Sequence, residues 1–349
     1  MMSRLMRLSI KILSLPLLLL FLIPAAACSP GEGDGSSVKV VASIYPLGYF
    51  AERIGDDLVE VEVLIGPGVE AHGFEPATSH LRSIEAADVI VMNGLELEPW
   101  LERALEALGD DAAGIVVEAA DESQAMEGGG HGHEEEHEGE EHEGEEHEEE
   151  EHEGEEHEEE DEHEGEDESE HHGEELDPHM WLDPKLAVVQ VERIRDAFVT
   201  VDADNAEGYR ERADALIADL NELHSDFEAG LAACKHDHFV TSHAAYGYLA
   251  ARYGIEQIPV AGLSPEAEPS PQQLAEITDE VTELGLSYVL VEPVLSQTLV
   301  ETVARETGTE LLPITPIESV TPEELEAHGD YFGLMRNNLA SLRLALECS

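Results

Sequence analysis

The amino-acid sequence predicts an α/β fold with two lobes, each with a mostly parallel sheet flanked by helices, joined by one long helix. Three observations lead to this prediction. Short apolar runs that favour strands alternate with amphipathic runs that favour helices, as in βαβ units. A helical pattern of about eight turns follows, and then the alternation starts again. With 349 residues, the chain is long enough for two domains of ordinary size.

The first lobe is assigned to residues 38–203. Its strand-like runs are apolar or alternating, and its helix-like runs carry apolar residues three or four positions apart. The predicted strands are 38–44, 58–66, 88–94 and 114–120, and the predicted helices are 46–55, 79–87, 98–109 and 185–201. Because helices separate successive strands, the connections favour a largely parallel sheet.

An insertion at residues 127–175 interrupts this lobe. It repeats the pattern H-E-G-E-E with variations, and residues 131–175 contain 28 of the 80 acidic residues of the chain. A step of five residues does not align histidines on one helix face, and like charges repel, so we expect a disordered loop. Its histidines are candidates for weak accessory metal binding: His131, His133, His137, His142, His147, His152, His157, His163, His171 and His172. A solvated acidic segment without a metal role is the alternative.

The long helix is predicted at residues 204–233. Apolar residues recur along it at helical spacing, and no proline interrupts the pattern. The apolar positions are Ala213, Leu216, Ile217, Leu220, Leu223, Phe227 and Leu231. We expect this helix to act as a stiff connection between the lobes.

The second lobe is assigned to residues 234–349. Its predicted strands are 238–242, 255–260, 286–292 and 310–315, and its predicted helices are 244–254, 270–285, 296–308 and 321–349. Two helices begin with a capping box, in which Ser or Thr precedes Gln or Glu by three residues: Ser270 with Gln273, and Thr321 with Glu324. The last helix is predicted to continue to the C-terminus.

The first residues of the chain predict export. Basic residues precede an apolar run that ends in small residues, as in a secretory signal peptide over residues 1–27. Cys28 and the small polar stretch 28–37 resemble the lipid-bearing cysteine and tether of a bacterial lipoprotein, although Ala25 stands where Leu is usual. We therefore expect a periplasmic or cell-surface protein that is anchored to the membrane through Cys28. An ordinary signal peptide with an incidental cysteine is the alternative.

Charge and cysteine content limit the classes of function. The net charge is −63, and the chain has only four lysines, which excludes an electrostatic nucleic-acid binder because phosphates require basic partners. After Cys28, only Cys234 and Cys348 remain. In an exported chain they can form one disulfide, and two thiols are too few for a four-thiolate zinc site.

Some candidate metal ligands follow predicted strands. His72 lies shortly after the strand 58–66, His243 directly follows the strand 238–242, and Glu318 follows the last predicted strand. In open α/β sheets, ligands bind outside the carboxyl ends of the strands. These side chains are therefore placed where a binding site is expected.

His179 is a further candidate ligand. It lies in the segment DPHMWLDP, between the insertion and a helix. Two prolines stiffen the segment, and Asp177 and Asp183 are placed to orient an imidazole through a hydrogen bond. The other histidines outside the insertion are expected to be ordinary surface or core residues: His80, His224, His236, His238 and His328.

Five segments together resemble the ZnuA-like solute-binding lipoproteins of bacterial ABC transporters for zinc and manganese. HGFEP, DPHMWLDP, FVTSHAAYGYLAARYG, GLSPEAEPSP and PIESVT occur in the order of that family, and the resemblance covers the mature chain outside the insertion. An acidic, His-rich insertion before the DPH motif is typical of its zinc-specific branch. The resemblance implies a metal site in the cleft between the lobes, with His72 and His179 from the first lobe and His243 and Glu318 from the second.

The fourth ligand is the least secure part of this assignment. Some family members place a Glu immediately before the first His, where this chain has Ala71, which offers no ligand atom. Others use an acidic residue in the last strand–helix loop, where Glu318 is the only carboxylate in the segment PITPIESV. Glu70 is close to the first His but displaced by one position.

The ligand set indicates the metal and the function. Three imidazoles and one carboxylate suit Zn²⁺, whereas two imidazoles and two carboxylates would favour Mn²⁺, a harder ion. Four protein ligands leave no position for a catalytic water, so no enzyme activity is expected. The resemblance implies a monomer that captures Zn²⁺ and delivers it to an ABC permease with its ATPase. A zinc buffer or metallochaperone, a manganese-binding member of the family and a metallohydrolase are the alternatives.

Overall fold

The computed structural model describes residues 37–109, 114–128 and 175–349. The predicted signal peptide, Cys28 and all ten histidines of the insertion lie outside the described residues. Residues 37–349 form one unit by their contacts. The predicted α/β fold with parallel sheets flanked by helices is confirmed.

The first sheet is parallel and has the order β2-β1-β3-β4. Its strands are β1 (Val38–Ala42), β2 (Val59–Val63), β3 (Val89–Met92) and β4 (Ile115–Glu118), connected by α1 (Tyr45–Gly55), α2 (Thr78–Ala86) and α3 (Pro99–Leu108). Val40 of β1 pairs with Val61 on one side and Val89 on the other. This register places the residues that follow β1, β2 and β3 at one edge of the sheet.

The second half of the chain contains two parallel strand pairs flanked by helices. Its strands are β5 (His238–Thr241), β6 (Glu256–Pro259), β7 (Tyr288–Val291) and β8 (Glu310–Pro313), with helices α6 (Gly247–Tyr253), α7 (Pro271–Leu284) and α8 (Thr298–Thr307). β5 pairs with β6, β7 pairs with β8, and β5 lies beside β7. Gly254 and Gly285 directly follow α6 and α7 and adopt the left-handed conformation that the helix-stop prediction requires.

Two long helices connect these halves and pack against each other: α4 (Pro184–Val201) and α5 (Ala206–Leu231). The buried stripe of α5 is Tyr209, Ala213, Leu216, Leu220, Leu223, Phe227 and Leu231. It contains the predicted apolar positions except Ile217, which is only partly buried, and it adds Tyr209. α5 contacts α1 and α4 from the first half and the C-terminal helix from the second.

The hydrophobic core is continuous across the chain. One cluster of buried residues extends from β1 to the end of the C-terminal helix, and a smaller one lies between β5–β7 and the helices α7 and α8. The rings of Phe50 on α1 and Tyr331 near the C-terminus meet edge to face at 5.0 Å. If the two halves of the chain moved far apart, these side chains would lose their burial. The shared core therefore resists large movements of one half relative to the other.

The C-terminal helix is divided, so the prediction of one helix from residue 321 to the end was wrong. α9 (Pro322–His328) is followed by α10 (Tyr331–Ala345). Gly329 has φ 91°, a conformation that ends a helix, and the Asp330 carboxylate caps α10 by accepting a hydrogen bond from the Gly333 nitrogen at 3.1 Å.

The ends of the insertion also differ from the prediction, which placed residues 127–175 in a disordered loop. Glu127 and Leu176 form an antiparallel bridge, and the Gly128 nitrogen donates to the Glu175 carbonyl at 2.7 Å. The insertion therefore begins and ends at adjacent points of the structure.

A disulfide joins Cys234 and Cys348, which are 114 positions apart. It connects the segment after α5 to the segment after α10.

None of the helices in the described ranges is both long and apolar enough to span a bilayer.

Candidate metal-binding site

Loops at the carboxyl ends of strands carry three of the predicted ligands. His243 lies just beyond β5, Glu318 in the loop after β8, and His72 in the turns after β2. His179 immediately precedes a short 3₁₀ turn, Met180–Leu182, before α4. The strands β2, β5 and β8 belong to separate sheets, and the loops that follow them meet in one region.

The structure brings His72, His179, His243 and Glu318 together. One ligand atom from each residue lies within 4.8 Å of the others. The Oε1 atom of Glu318 is 3.2 Å from Nε2 of His179, 3.7 Å from Nε2 of His243 and 3.8 Å from Nε2 of His72. The three imidazoles thus present the same nitrogen to one carboxylate oxygen.

These four atoms are buried and lack hydrogen-bond partners within the described ranges: Nε2 of each histidine and Oε1 of Glu318. A buried polar atom without a partner costs about 1–3 kcal/mol, so four such atoms in one place require an explanation. Nitrogen and oxygen lone pairs that converge at these distances are the donor set of a bound transition metal. The residues present therefore fit a metal ion.

Asp177 fixes the orientation of His179. Its Oδ1 atom lies 2.8 Å from the Nδ1 atom of His179 and accepts a hydrogen bond from the His179 backbone nitrogen at 2.9 Å. The Tyr248 hydroxyl donates to the Asp177 carbonyl. With Nδ1 held by a carboxylate, Nε2 is the nitrogen that remains for a metal.

Asp183 does not orient an imidazole, and that expectation was wrong. Its carboxylate accepts a hydrogen bond from the Lys185 nitrogen at 2.8 Å and so caps α4. The same carboxylate forms an ion pair with Arg252 at 2.6 Å. The Asp183 carboxylate therefore caps a helix and pairs with an arginine, and within the described residues it does not pair with a histidine ring.

Glu292 was not singled out from the sequence, yet it contacts the site. Its carboxylate lies 2.8 Å from the Nδ1 atom of His243, and the residue is fully buried. Its backbone nitrogen donates to the Ser242 hydroxyl at 3.2 Å. The available signal was its position at the end of the predicted strand 286–292, much as His243 follows the predicted strand 238–242.

Glu70 is engaged elsewhere. Its two carboxylate oxygens accept hydrogen bonds from the backbone nitrogens of His72 and Gly73, each at 2.7 Å. This carboxylate therefore stabilises the turn that carries His72, while Glu318 is the carboxylate among the converging atoms.

Burial and the neighbouring charges act in opposite directions on the pKa values of the site. Burial lowers the pKa of His243, but Glu292 and Glu318 raise it more, to about 10. Burial also opposes the effect of Asp177 and Glu318 on His179, whose pKa is raised on balance. Burial raises the pKa of Glu318, whereas the surrounding imidazoles lower it well below its usual range. The site thus favours positive charge beside an ionised carboxylate.

The histidines expected to be ordinary lie in other contacts. His80 stacks on Phe74, His224 contacts Tyr253, His236 lies 3.5 Å from Glu347, His238 lies between Asp237 and Glu256, and His328 ends α9. Among the residues with described positions, His72, His179, His243 and Glu318 are the group of potential ligands whose donor atoms all lie within 4.8 Å of one another.

Comparisons with known proteins show the family to which the chain is similar. The profile of the family described as zinc-uptake complex component A, periplasmic, matches residues 40–345. The chain is 33% identical over 334 residues to the zinc-binding lipoprotein AdcA of Streptococcus pneumoniae, a match that covers 96% of this chain and 60% of AdcA. It is 32% identical over 331 residues to the high-affinity zinc uptake system protein ZnuA of Bacillus subtilis, with coverage of 93% and 94%.

A solved structure shows the same fold. The Zn(II)-bound ZnuA-like domain of Streptococcus pneumoniae AdcA matches with a TM-score of 0.68 and 29% identity, over 89% of this chain and 100% of that domain. The chain spans about 60% of the length of the AdcA relatives. Since the family profile extends over most of the sequence, the chain belongs to the ZnuA family of periplasmic zinc-uptake components.

Proposed function

We propose that this protein captures Zn²⁺ outside the cytoplasm and delivers it to the permease of an ABC transporter, whose ATPase drives import. Zinc is the cargo in this proposal. Two relatives of this protein are named as a zinc-binding lipoprotein and as a high-affinity zinc uptake protein, and both names support the proposal. The permease and the ATPase are inferred partners.

One observation carries the proposal: four buried donor atoms without hydrogen-bond partners converge in the described structure. We assign His72, His179, His243 and Glu318 as the zinc ligands. Three nitrogens and one oxygen match the preference of zinc for about four ligands that include imidazole. Mn²⁺ favours more oxygen ligands, so it is the weaker candidate for the same site.

The proposed role is binding rather than catalysis. Four protein ligands fill a tetrahedral zinc ion and leave no position for a reacting water. The Ser242 hydroxyl, which stands next to His243 in the sequence, accepts a hydrogen bond from the Glu292 nitrogen. Among the hydrogen bonds of the described residues, none joins this hydroxyl to the His243 ring, so the structure offers no support for a nucleophile–base pair there.

We propose that the site lies in a cleft between two lobes. We assign residues 38–203 to the first lobe, 204–233 to the linking helix and 234–349 to the second lobe, so that each lobe supplies two ligands. The continuous core supports a small closing movement. We further propose that the protein is a monomer, that Cys28 carries a lipid anchor, and that the histidines of the insertion bind zinc weakly.

Zinc binding by the full-length mature protein tests the ligand assignment. In competition with a chelator, His179→Ala should weaken the tight site by more than 100-fold, because one of four ligands is lost. His157→Ala in the insertion is the matched control and should leave the tight site unchanged. Equal effects of the two substitutions would contradict the assignment.

Zinc uptake by cells tests the delivery step. Cells that lack this protein should grow poorly in zinc-depleted medium and accumulate little radioactive zinc, and the wild-type gene should restore both. The His179→Ala variant should restore neither. Normal uptake in the deletion strain would instead favour a zinc buffer or metallochaperone.

A further inference from the structure

Glu292 contacts the nitrogen of His243 that does not face Glu318. Its carboxylate lies 2.8 Å from Nδ1, whereas Nε2 of the same ring points toward the other ligands. Glu292 is not in the group of converging donor atoms, which all lie within 4.8 Å of one another. Any effect of Glu292 on the ion therefore passes through the His243 ring.

We propose that Glu292 is a positioning residue for zinc binding. In the neutral ring that binds the ion, it keeps the single proton on Nδ1 and thereby directs the lone pair of Nε2 to the ion. This inference rests on the proposed zinc-binding function. It adds a residue that acts on the metal without touching it.

The chemistry of the side chain supports this role. A neutral imidazole carries one proton, which can reside on either nitrogen. A carboxylate only accepts hydrogen bonds, so the nitrogen beside Glu292 must be the protonated one. A glutamine at this position could present its oxygen or its amide group, and would not select one tautomer.

The fold holds Glu292 in place. It directly follows β7, which lies beside β5, and its backbone nitrogen donates to the hydroxyl of Ser242. His243 is the next residue after Ser242. This hydrogen bond joins the ends of β5 and β7 next to the contact between the Glu292 carboxylate and the His243 ring.

The charge of Glu292 also favours a cation. Its ion-pair contact within the described ranges is with His243, and no Lys or Arg there lies within 4.0 Å of it. A buried carboxylate without a fixed cation is costly. A divalent ion bound at Nε2 of His243 would supply the compensating charge through the ring.

The zinc affinity of Glu292 variants tests the proposal in the full-length mature protein. Glu292→Ala should weaken tight zinc binding by about 10- to 100-fold, as expected when the partner of a ligating histidine is removed. Glu292→Gln has the same shape but no charge, and should weaken binding less. Glu256→Gln is the matched control, because Glu256 pairs with His238 at 2.9 Å outside the site. Its affinity should remain within twofold of the wild type.

Long-range ¹H–¹⁵N spectra provide a readout that a purely structural role would not change. In the zinc-loaded protein, where the His243 ring is neutral, its proton should be on Nδ1 in the wild type, whereas part of the rings in Glu292→Ala should be flipped, with the proton on Nε2. X-ray absorption should show the same number of zinc ligands in the wild type and in Glu292→Gln, because Glu292 does not touch the ion. If the alanine variant does not fold, the isosteric glutamine variant carries the test.

Two results would overturn the proposal. One is an affinity within twofold of the wild type for Glu292→Ala. The other is a Glu292→Gln variant with wild-type affinity and an unchanged tautomer, since a neutral side chain would then suffice. A wild-type protein without a tight zinc site would instead overturn the proposed function itself.

Discussion

A single oxygen atom of Asp177 holds His179 at two points, 2.8 Å from Nδ1 of the ring and 2.9 Å from the backbone nitrogen. The two residues are separated by one proline, so this orientation is built within a short segment. His243 is oriented instead by Glu292, which is 49 positions away in the sequence. The site thus combines one local and one long-range support for its imidazoles.

Substitution of Gly247 tests whether Asp177 orients His179. A Cβ atom at this position would lie 2.7 Å from Oδ2 of Asp177, so Gly247→Ala should displace the carboxylate and release the His179 ring. We expect zinc affinity to fall by about tenfold in chelator competition. Gly66→Ala is the matched control, because its Cβ atom would meet nothing within 4 Å. Equal affinities of the two variants would show that Asp177 does not need its present position.

The pH dependence of zinc binding follows from the raised pKa values of His243 and His179. The pKa of His243 is about 10, and that of His179 lies above its usual value, so protons compete with zinc for both Nε2 atoms over the neutral range. Raised pKa values favour the protonated rings, and zinc needs the neutral ones. Affinity should therefore increase with pH, by about tenfold per pH unit for each proton displaced.

This dependence should be measured by competition between pH 6 and 9 on protein that lacks residues 129–174, so that the insertion contributes no zinc binding. Glu318 should contribute no slope in this window, because its pKa is held well below its usual range. Calorimetry in buffers of different ionisation enthalpy should detect proton release. A flat affinity profile would contradict an assignment in which His179 and His243 bind the ion.

Removal of the insertion should leave the tight site intact. Residues 126–128 and 175–177 lie side by side, with hydrogen bonds from Gly128 to Glu175 and from Asp177 to Met126, so a short linker can replace residues 129–174. We expect zinc stoichiometry to fall to one tight site, with its affinity changed by less than about threefold. Loss of tight binding would place the transport site in the insertion.

The disulfide between Cys234 and Cys348 should affect stability but not zinc affinity. It closes a loop of 114 positions, and removal of such a bridge by a double Cys→Ser substitution should lower the free energy of unfolding by about 2–4 kcal/mol. Cys234 precedes β5 and His243 follows it, so the bridge and the site lie at opposite ends of that strand. Denaturant unfolding and zinc competition on the same variant measure the two effects. Free thiols in the oxidised wild type would contradict the bridge.

Local features of the fold could be predicted because they depend on nearby residues. The capping boxes at Ser270 and Thr321 form as expected, since their hydrogen bonds join residues three positions apart. The buried stripe of α5 follows helical spacing for the same reason. The break between α9 and α10 was missed, although Gly329 and Asp330 are residues that end and start helices.

The sequence by itself determined the order of strands and helices, the candidate ligands and the acidic insertion, because spacing, residue type and motif order are local properties. Only the tertiary structure decided which polar groups support these ligands. It assigned Asp183 to a helix cap and an ion pair, placed Glu292 against His243, and joined the two ends of the insertion. These contacts depend on the packing of strand ends and helices that are far apart in the chain. Spacing along the sequence carries no information about such distances in space.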